Sequence, residues 1–546
     1  QLWERVAGYV SKAERRFEGR DVDSVRESFL GMLSRREFLP NSPTLMNAGT
    51  SIDQLAACFV LPVHDSIESI FETIKNTALI HQSGGGTGFS FSELRPAGDP
   101  VKDTGGVASG PVSFMKIFDA ATEQIKQGGR RRGANMGVLR VDHPDIETFI
   151  DCKREEGTLR NFNLSVGMTE TFWNCYENGE PFPLVNPRTG ESVRTVQPAD
   201  LLERIVNGAW ETGDPGLLFF DIINEDNPTP RIGAIQATNP CGEVPLLPYE
   251  ACVLGSINLS KMTSSGGLNR EKLSETVRLA VRFLDDVIEM SSFPVEEIGE
   301  VMEANRKIGL GVMGFHDMLI DLEIPYDSDR AVECAGNTME LINETAREAS
   351  KQLASERGPF PNWEDSVYDH PLRNATRTTI APTGTISMIA GCSAGIEPIY
   401  NVAYTKRVLG GLEMISDRFV NKAKQAGIYS EELMDRVRGR TGIQDLNVVP
   451  DDLKELFQTA HDVPGLRHLQ IQHAFQEHTD NAVSKTVNLP KNATREDIEE
   501  IFLRAREMNL KGITVFRSQS KREQVLGDDP LKEECISECE FSYTGS

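Results

Sequence analysis

Apolar residues recur at helical spacing in five long stretches: VDSVRESFLGMLSRREF (22–38), SIESIFETIKNTALIHQ (66–82), ADLLERIVNGAWETG (199–213), NREKLSETVRLAVRFLDDVIEM (269–290) and REDIEEIFLRAREMNL (495–510). That spacing lays an apolar stripe along one face and predicts amphipathic helices. Short apolar or β-branched runs fall between them: ACFVLP (57–62), GFSFSEL (88–94), NLSVGM (163–168), ACVLGSINLS (251–260), RTTIAP (377–382), SKTVNLP (484–490) and GITVFR (512–517). These predict strands. Helical and strand-like patterns alternate through most of the chain, which predicts an α/β architecture. No repeat of about 20–50 residues stands out. The last stretch, GDDPLKEECISECEFSYTGS, is polar and acidic and is expected to form a mobile tail.

Charge narrows the choice of partners. The net charge of −25 over 546 residues repels polyanions and argues against binding DNA or RNA polymers. Any phosphate ligand must be held by local donors. No apolar run of about 18 residues occurs, so no membrane span is expected. The N-terminus, QLWERVAGYVSKAERR, has no apolar signal core and no initiator Met, and reads as a trimmed chain. Nine cysteines in a chain of this length do not make a dense disulfide framework. They fit a reducing cytoplasm, where the notable cysteines are catalytic or redox-active.

The segment ATNPCGEVPLLPYEACVLGSINLS (237–260) concentrates candidate chemistry. Pro240, Gly242, Pro245 and Pro248 keep Cys241 out of a helix or an interior strand. Asn239 and Glu243 flank Cys241 at i−2 and i+2, so in an extended loop the three side chains project to one side. A thiol, a carboxylate and an amide converging on one point suit hydrogen-atom abstraction, general-base work and hydroxyl binding. A buried, inert cysteine in a proline-rich loop is the plain alternative. Cys252 lies on the next strand and Cys58 on a distant one; taken singly, each reads more readily as a core cysteine.

Three further segments carry weaker signals. In RTTIAPTGTISMIAGCS (377–393), a strand runs into Pro382-Thr383-Gly384-Thr385 and a helical run. Hydroxyls and N–H groups at such a helix start can hold a phosphate without lysine, or form an ordinary cap. No GxxxxGK[ST] loop is present. In SGGGTGFS (83–90), the glycines allow close approach of a ligand or another chain segment, or make a tight turn. In KQGGRRRGANMG (126–137), three arginines among glycines form a loop that contacts nucleotide phosphates or is simply solvated.

Together these segments resemble the catalytic subunits of ribonucleotide reductases, most closely class II, the adenosylcobalamin-dependent type. Seven blocks occur in the family's order: LPNSPTLMNAG (39–49), AACFVLP (56–62), SGGGTGFSFSELRP (83–96), GGRRRGANMGVL (128–139), ATNPCGEVPL (237–246), APTGTIS (381–387) and DNAVSKTVNLP (480–490). The resemblance implies a ten-stranded α/β barrel of two five-stranded parallel halves with a central finger loop. It implies a helical region over 1–40 with no ATP-binding cone, a barrel over 41–527 and a tail over 528–546. It implies Cys241 as the thiyl radical, Glu243 as base, Asn239 as ribose orienter, and Cys58 and Cys252 as the reducing pair. Cys535 and Cys539 resemble a shuttling tail pair, and half of a zinc site is the alternative.

Substrate contacts carry over to Ser42, Ala57, Cys58, Gly86, Thr383, Gly384, Thr385, Ile386 and Ser387. Effector contacts carry over to Asp65, Ser66 and Arg95, and to the relay segment 126–135 with Lys126, Gln127 and Arg131. The resemblance further implies a ribonucleotide substrate, preferably a diphosphate, and a deoxynucleotide or ATP specificity effector. Thioredoxin or a similar reductant and a homodimer complete the implied partners of this enzyme of DNA synthesis. Class I subunits receive their radical through a tyrosine pair near the C-terminal strand. Val515 and Phe516 occupy that place here, so the radical source must be in place, as in class II. No D-x-H-x-x-G cobalamin motif occurs. The rivals are a class I subunit with a separate radical-generating partner, a nucleotide-binding protein without activity, and a metal hydrolase. All three of Cys58, Cys241 and Cys252 are present, against the second, and no HExxH occurs, against the third.

Overall fold

Strands covered on both faces need no alternation of apolar and polar residues, and such runs build the central sheet. All eight residues of Ala251–Asn258 and all six of Ile308–Met313 are buried. The computed structural model describes residues 1–520, except 19–20, 102–105, 128–130, 156, 265–266, 407–411, 439, 441 and 519.

The first half-barrel comprises five parallel strands, Cys58–Val60, Gly86–Ser90, Asn135–Arg140, Phe162–Met168 and Gly216–Phe219, paired in that order. The second runs from Ala251–Asn258 to Ile308–Met313. It continues through single parallel bridges, Leu310↔Thr378 and Ile380↔Val483, and then Thr486–Leu489 beside Gly512–Arg517. Two antiparallel seams join the halves: Ala251↔Phe59 with Cys252↔Cys58, and Leu217↔Ile513 with Leu218↔Gly512. The ring is thereby closed, which removes its exposed edges. Phe38–Pro40 adds an outer antiparallel strand along Ala251–Asn258.

Helices cover the outside between successive strands. Ile67–Ser83, Pro111–Gln124 and Pro198–Thr212 serve the first half. Arg270–Met290, Asp329–Arg357, Gly465–Gln476 and Arg495–Glu507 serve the second. Aromatic rings lock one of them down: Phe118 of Pro111–Gln124 meets Phe89 edge-on at 4.9 Å and Phe91 at 5.5 Å. Such pairs add roughly 0.5–1.5 kcal/mol each beyond simple burial. Residues 402–457 carry a second, smaller core around Phe419, Leu433, Met434, Leu446 and Phe457.

The N-terminal helices Leu2–Val10 and Val22–Ser34 pack on Arg270–Met290. A buried ion cluster joins this region to the barrel. Arg357 bonds Glu14, Asp285 and Asp286 at 2.7, 2.7 and 2.8 Å, and Arg306 bonds Asp285 at 2.7 Å. Burial alone would raise the Asp285 pKa, but Arg306, Arg373 and Arg357 hold it well below the usual carboxylate range.

Two predicted elements are corrected. The helix expected over 22–38 ends at Ser34, because Phe38–Pro40 is drawn into the sheet. The strand expected over 377–382 is held by isolated bridges at Thr378 and Ile380. Among the described residues, no helix is long and apolar enough to cross a membrane.

Candidate active site

A hairpin enters the ring between its two halves. Ala237–Thr238 pairs with Pro245–Leu246, with Ala237 opposite Leu246 and Thr238 opposite Pro245. The turn between them is tight. Asn239 N–H donates to Val244 O at 3.2 Å, and Val244 N–H donates to Asn239 Oδ1 at 2.9 Å. Gly242 takes a φ of +80°, a conformation that costs residues with a Cβ. The extended loop predicted from the i−2 and i+2 spacing is therefore a folded-back turn. Asn239 and Glu243 converge across its neck, and Cys241 sits at its tip.

The hairpin fits only because the strand beneath it presents glycines on the facing side. A Cβ on Gly88 would lie 1.7 Å from Thr238 O, and one on Gly86 would lie 2.9 Å from Pro240 Cγ. Side chains from both half-barrels then clamp the turn. Asn163 Nδ2 donates to Pro240 O at 2.9 Å. Thr379 Oγ1 donates to Glu243 O at 2.7 Å, and Ala482 N–H donates to the same oxygen at 2.9 Å. Gly88, Asn163 and Thr379 escaped the sequence reading. Only the glycine run hinted at the first, and nothing local marks the other two.

Cys58 and Cys252 are direct cross-strand partners at one seam. Residues so opposed have Cα atoms about 4.5–5.5 Å apart, inside the usual disulfide range of about 4.4–6.8 Å. Neither is in a disulfide. Asn239 Nδ2 donates to Cys58 Sγ at 3.1 Å, tying the hairpin to the dithiol. Cys58, Cys252, Ala237, Val244, Leu246 and Ala381 share one apolar cluster, with Ala57 against it. Residues 194 positions apart in sequence thus meet beneath the turn.

Burial governs the titration of the site. It pushes the Glu243 carboxyl up to about 7, against a lowering hydrogen bond from Asn239. The excess disfavours the charged form by roughly 3 kcal/mol. Glu243 Oε2 has no hydrogen-bond partner among the described residues, so one carboxylate oxygen remains available to a ligand hydroxyl. Burial also pushes the Cys252 thiol well up, with Lys307 opposing, so it stays protonated. Lys307 is itself bound to buried Glu250 at 2.6 Å. Cys241 is only partly buried, whereas Asn239 and Glu243 are enclosed.

Ala381 leads from this cluster into Thr383–Ser387. Thr383 has a φ of +57° and accepts from Gly395 N–H at 2.7 Å, while Ser387 Oγ donates to Gly384 O at 3.0 Å. Those hydroxyls shape the turn. The first-turn N–H groups around Gly384, Thr385 and Ile386 have no intrahelical acceptor and suit an anion. The helix Gly384–Ala390 packs on Phe38–Pro40, which leads to Ser42 at the start of the helix Ser42–Asn47.

Asp65, Ser66 and Arg95 gather at the start of Ile67–Ser83. Arg95 Nε bonds Asp65 Oδ2 at 2.8 Å, and Ser66 Oγ caps the helix by accepting from Ser69 N–H at 3.1 Å. Among the described residues, none of the three is hydrogen-bonded to the hairpin. Lys126–Gln127 pairs with Arg131–Arg132, with Gln127 opposite Arg131. The side chains of Lys126, Gln127 and Arg131, and both Cys535 and Cys539, lie outside the described residues. Val515 is buried in Gly512–Arg517, beside Phe516.

The family model described as ribonucleotide reductase, barrel domain, matches residues 56–371 and 364–516. The model for the all-alpha domain of the same family matches residues 1–52. A vitamin B12-dependent ribonucleoside-diphosphate reductase of Thermoplasma acidophilum is 53% identical over 505 residues, covering 91% of this chain and 66% of that protein. A protein of the same description from Mycobacterium tuberculosis (strain CDC 1551 / Oshkosh) is 48% identical over 549 residues, covering 100% of this chain and 79% of that protein. The solved class Id ribonucleotide reductase alpha subunit of Actinobacillus ureae superposes with a TM-score of 0.79 at 24% identity, over 94% of this chain and 93% of that one. That last likeness concerns the fold alone.

The cross-strand register makes a firm prediction about oxidation. Mild oxidant should join Cys58 to Cys252, seen as a crosslinked peptide in non-reducing mass spectrometry and lost in Cys252→Ser. Reaction of Cys58 with Cys241 instead would contradict the register.

Proposed function

We propose that this chain, which belongs to the ribonucleotide reductase family, reduces ribonucleoside diphosphates to 2′-deoxyribonucleotides with adenosylcobalamin as the radical source. The observation that carries this reading is the Cys58–Cys252 dithiol beneath a hairpin that presents Cys241 between Asn239 and Glu243. The diphosphate and the cofactor follow relatives named as vitamin B12-dependent ribonucleoside-diphosphate reductases. Because the chain spans 66% of the length of the first of these, activity and partners are transferred as a proposal.

Each residue has a chemically matched task. Cys241, as a thiyl radical, takes the 3′ hydrogen of the ribose and returns it at the end. Glu243 accepts the 3′ hydroxyl proton through its open Oε2, and its near-neutral pKa suits a base. The 2′ hydroxyl leaves as water, taking a proton from the dithiol. Cys58 and Cys252 supply two electrons and end as a disulfide, so ribonucleotide plus dithiol gives deoxyribonucleotide, disulfide and water. Thr383–Ser387 holds the substrate phosphate, with Ser42, Ala57 and Gly86 lining the approach.

The radical must reach Cys241 from its accessible side. Val515 and Phe516 carry no hydroxyl for a tyrosyl relay, which weighs against the class I alternative. Cys241 is the open member of an otherwise enclosed set, which fits a large cofactor bound against the hairpin tip. When bound, adenosylcobalamin supplies the hydrogen-abstracting radical through its cobalt–carbon bond. The described cysteines form no disulfide, in keeping with a cytoplasmic enzyme re-reduced by thioredoxin or a similar dithiol. The tail pair Cys535 and Cys539 would pass those electrons inward.

The enzyme works as a homodimer through the helices Ile67–Ser83 and Pro111–Gln124, which pack side by side. Ile67 and Phe71, one turn apart, are 62% and 51% exposed, and Ile117 is exposed on the neighbouring helix. A two-helix apolar face is self-complementary about a two-fold axis. It also adjoins Asp65, Ser66 and Arg95, where the specificity effector would bind.

Three outcomes test this reading. Deoxynucleotide should form from CDP with dithiothreitol and an effector only when adenosylcobalamin is added, and Cys241→Ala should abolish it while leaving nucleotide binding intact. Product without the cofactor, or an active Cys241→Ala, would sink the mechanism. Glu243 must be deprotonated to act, so kcat/KM should rise with pH through about 7. Glu243→Gln should remove that limb and lower kcat by about 10²–10⁴-fold. Phe71→Glu should convert dimer to monomer in light scattering; an unchanged mass would exclude this face.

A further inference from the structure

Gly86 and Gly88 receive the hairpin on the inner side of the ring. Thr87, between them, projects to the outer side. Its hydroxyl is the middle link of a buried hydrogen-bonded chain. His81 Nε2 lies 2.9 Å from Thr87 Oγ1, and Thr87 Oγ1 donates to Asn135 Oδ1 at 2.7 Å. Asn135 Nδ2 donates to Thr122 Oγ1 at 2.9 Å, and Thr122 Oγ1 donates to Phe118 O at 2.8 Å. With the Thr87 proton committed to Asn135, the His81 ring donates from Nε2. Thr87 and Asn135 are fully enclosed, and Thr122 and His81 nearly so.

The four residues come from four elements. His81 belongs to Ile67–Ser83 and Thr122 to Pro111–Gln124, the two helices with the exposed apolar face. Thr87 and Asn135 are direct partners on neighbouring parallel strands. The His81 ring also lies against Gly133, where a Cβ would come within 2.5 Å of Nδ1. A donor or acceptor buried here cannot turn to water, so breaking one link strands its neighbour. If the helices shift relative to one another, both bonds of Asn135 cannot persist unless the strands follow.

Resting on the effector reading above, we propose that His81, Thr87, Asn135 and Thr122 are positioning residues for substrate selection. They tie the outer helix pair to the backbone at Gly133–Asn135 and to the strand that supports the hairpin. An effector bound at the helix pair thereby changes which base is accepted at the site.

Thr122→Val keeps the side-chain shape and removes the hydroxyl; Thr122→Ser restores it. Holoenzyme is assayed with a purine and a pyrimidine ribonucleoside diphosphate, under a purine and then a pyrimidine deoxynucleoside triphosphate. The readout is the factor by which exchanging the effector changes the ratio of the two kcat/KM values. Couplings of this type run at about 5–150-fold. Thr122→Val should bring the factor close to one with effector-free turnover retained, and Thr122→Ser should keep it. Thr87→Val serves as a second variant should the first fail to fold. Amide exchange at Thr87 and Asn135, with and without effector, follows the same link without turnover. It should respond to effector in the wild type and in Thr122→Ser, and not in Thr122→Val. A folded Val variant with full discrimination and exchange response overturns the proposal. So does an equal rate loss on every substrate with or without effector, as a purely structural role would give. A wild type that shows no turnover refutes the functional reading, while the exchange comparison still decides the link.

Discussion

A hairpin can occupy the middle of a strand ring only where the facing strand has no side chain. Gly88 meets that condition at its limit: the Thr238 carbonyl oxygen stands where a Cβ would be, at 1.7 Å. Gly86 does the same beneath Pro240. Once the hairpin is seated, the rest of the site follows. Asn239 is brought to Cys58, Glu243 is carried into the interior, and Cys241 is left at the tip. The clamps at Asn163 and Thr379 come from opposite half-barrels, so the turn is fixed relative to both seams of the ring. Cys241 is thus flanked by clamped backbone at Pro240 and Glu243 and lies outside the paired strands of the hairpin.

Burial alone does not decide how a carboxylate behaves. Asp285 and Glu243 are both enclosed. Asp285 is surrounded by Arg306, Arg357 and Arg373 and remains ionised. Glu243 has an amide for a neighbour and is raised to about 7. Their effects on folding have opposite signs. Asp285, lowered in the fold, contributes stability above its unfolded pKa and loses it as pH falls through the folded value. Glu243, raised in the fold, contributes stability below its unfolded pKa near 4.5 and loses it as pH rises through about 7. The ion cluster therefore holds the N-terminal helices to the barrel at neutral pH, whereas an ionised Glu243 is a destabilising buried charge.

Much of this was legible in the sequence, and the limits have physical causes. The helices 67–83, 198–212, 270–290 and 495–507 lie close to their predicted positions, because each has one face in water and a periodic apolar stripe. The strands Asn135–Arg140, Gly216–Phe219 and Ile308–Met313 escaped prediction. They are short, contain glycine and are buried on both sides, so no period of two survives to mark them. The neighbourhood of Asn239, Cys241 and Glu243 was readable from their spacing, but the turn that unites them was not, since an extended loop would also have placed them together. The pairing of Cys58 with Cys252 is a register, and register between strands so far apart in sequence is set by the closing of the ring.

That register, with the hydrogen bond from Asn239, makes the two thiols unequal. The Asn239 amide N–H of the hairpin is directed at the sulfur of Cys58. Cys252 is fully buried, and that burial keeps its proton in place. In the proposed reaction the departing 2′ hydroxyl needs a proton before the disulfide can form. The dithiol is the proton source in that reaction, and Asn239 stands beside its Cys58 sulfur. The same Asn239 also bonds Glu243, which in the proposed reaction is charged before it takes the 3′ proton and neutral afterwards. One amide thus stands between the group that gains a proton and the group that gives one up. Its amide N–H groups reach both the carboxylate that is charged before the transfer and the sulfur of Cys58, in an enclosed neighbourhood.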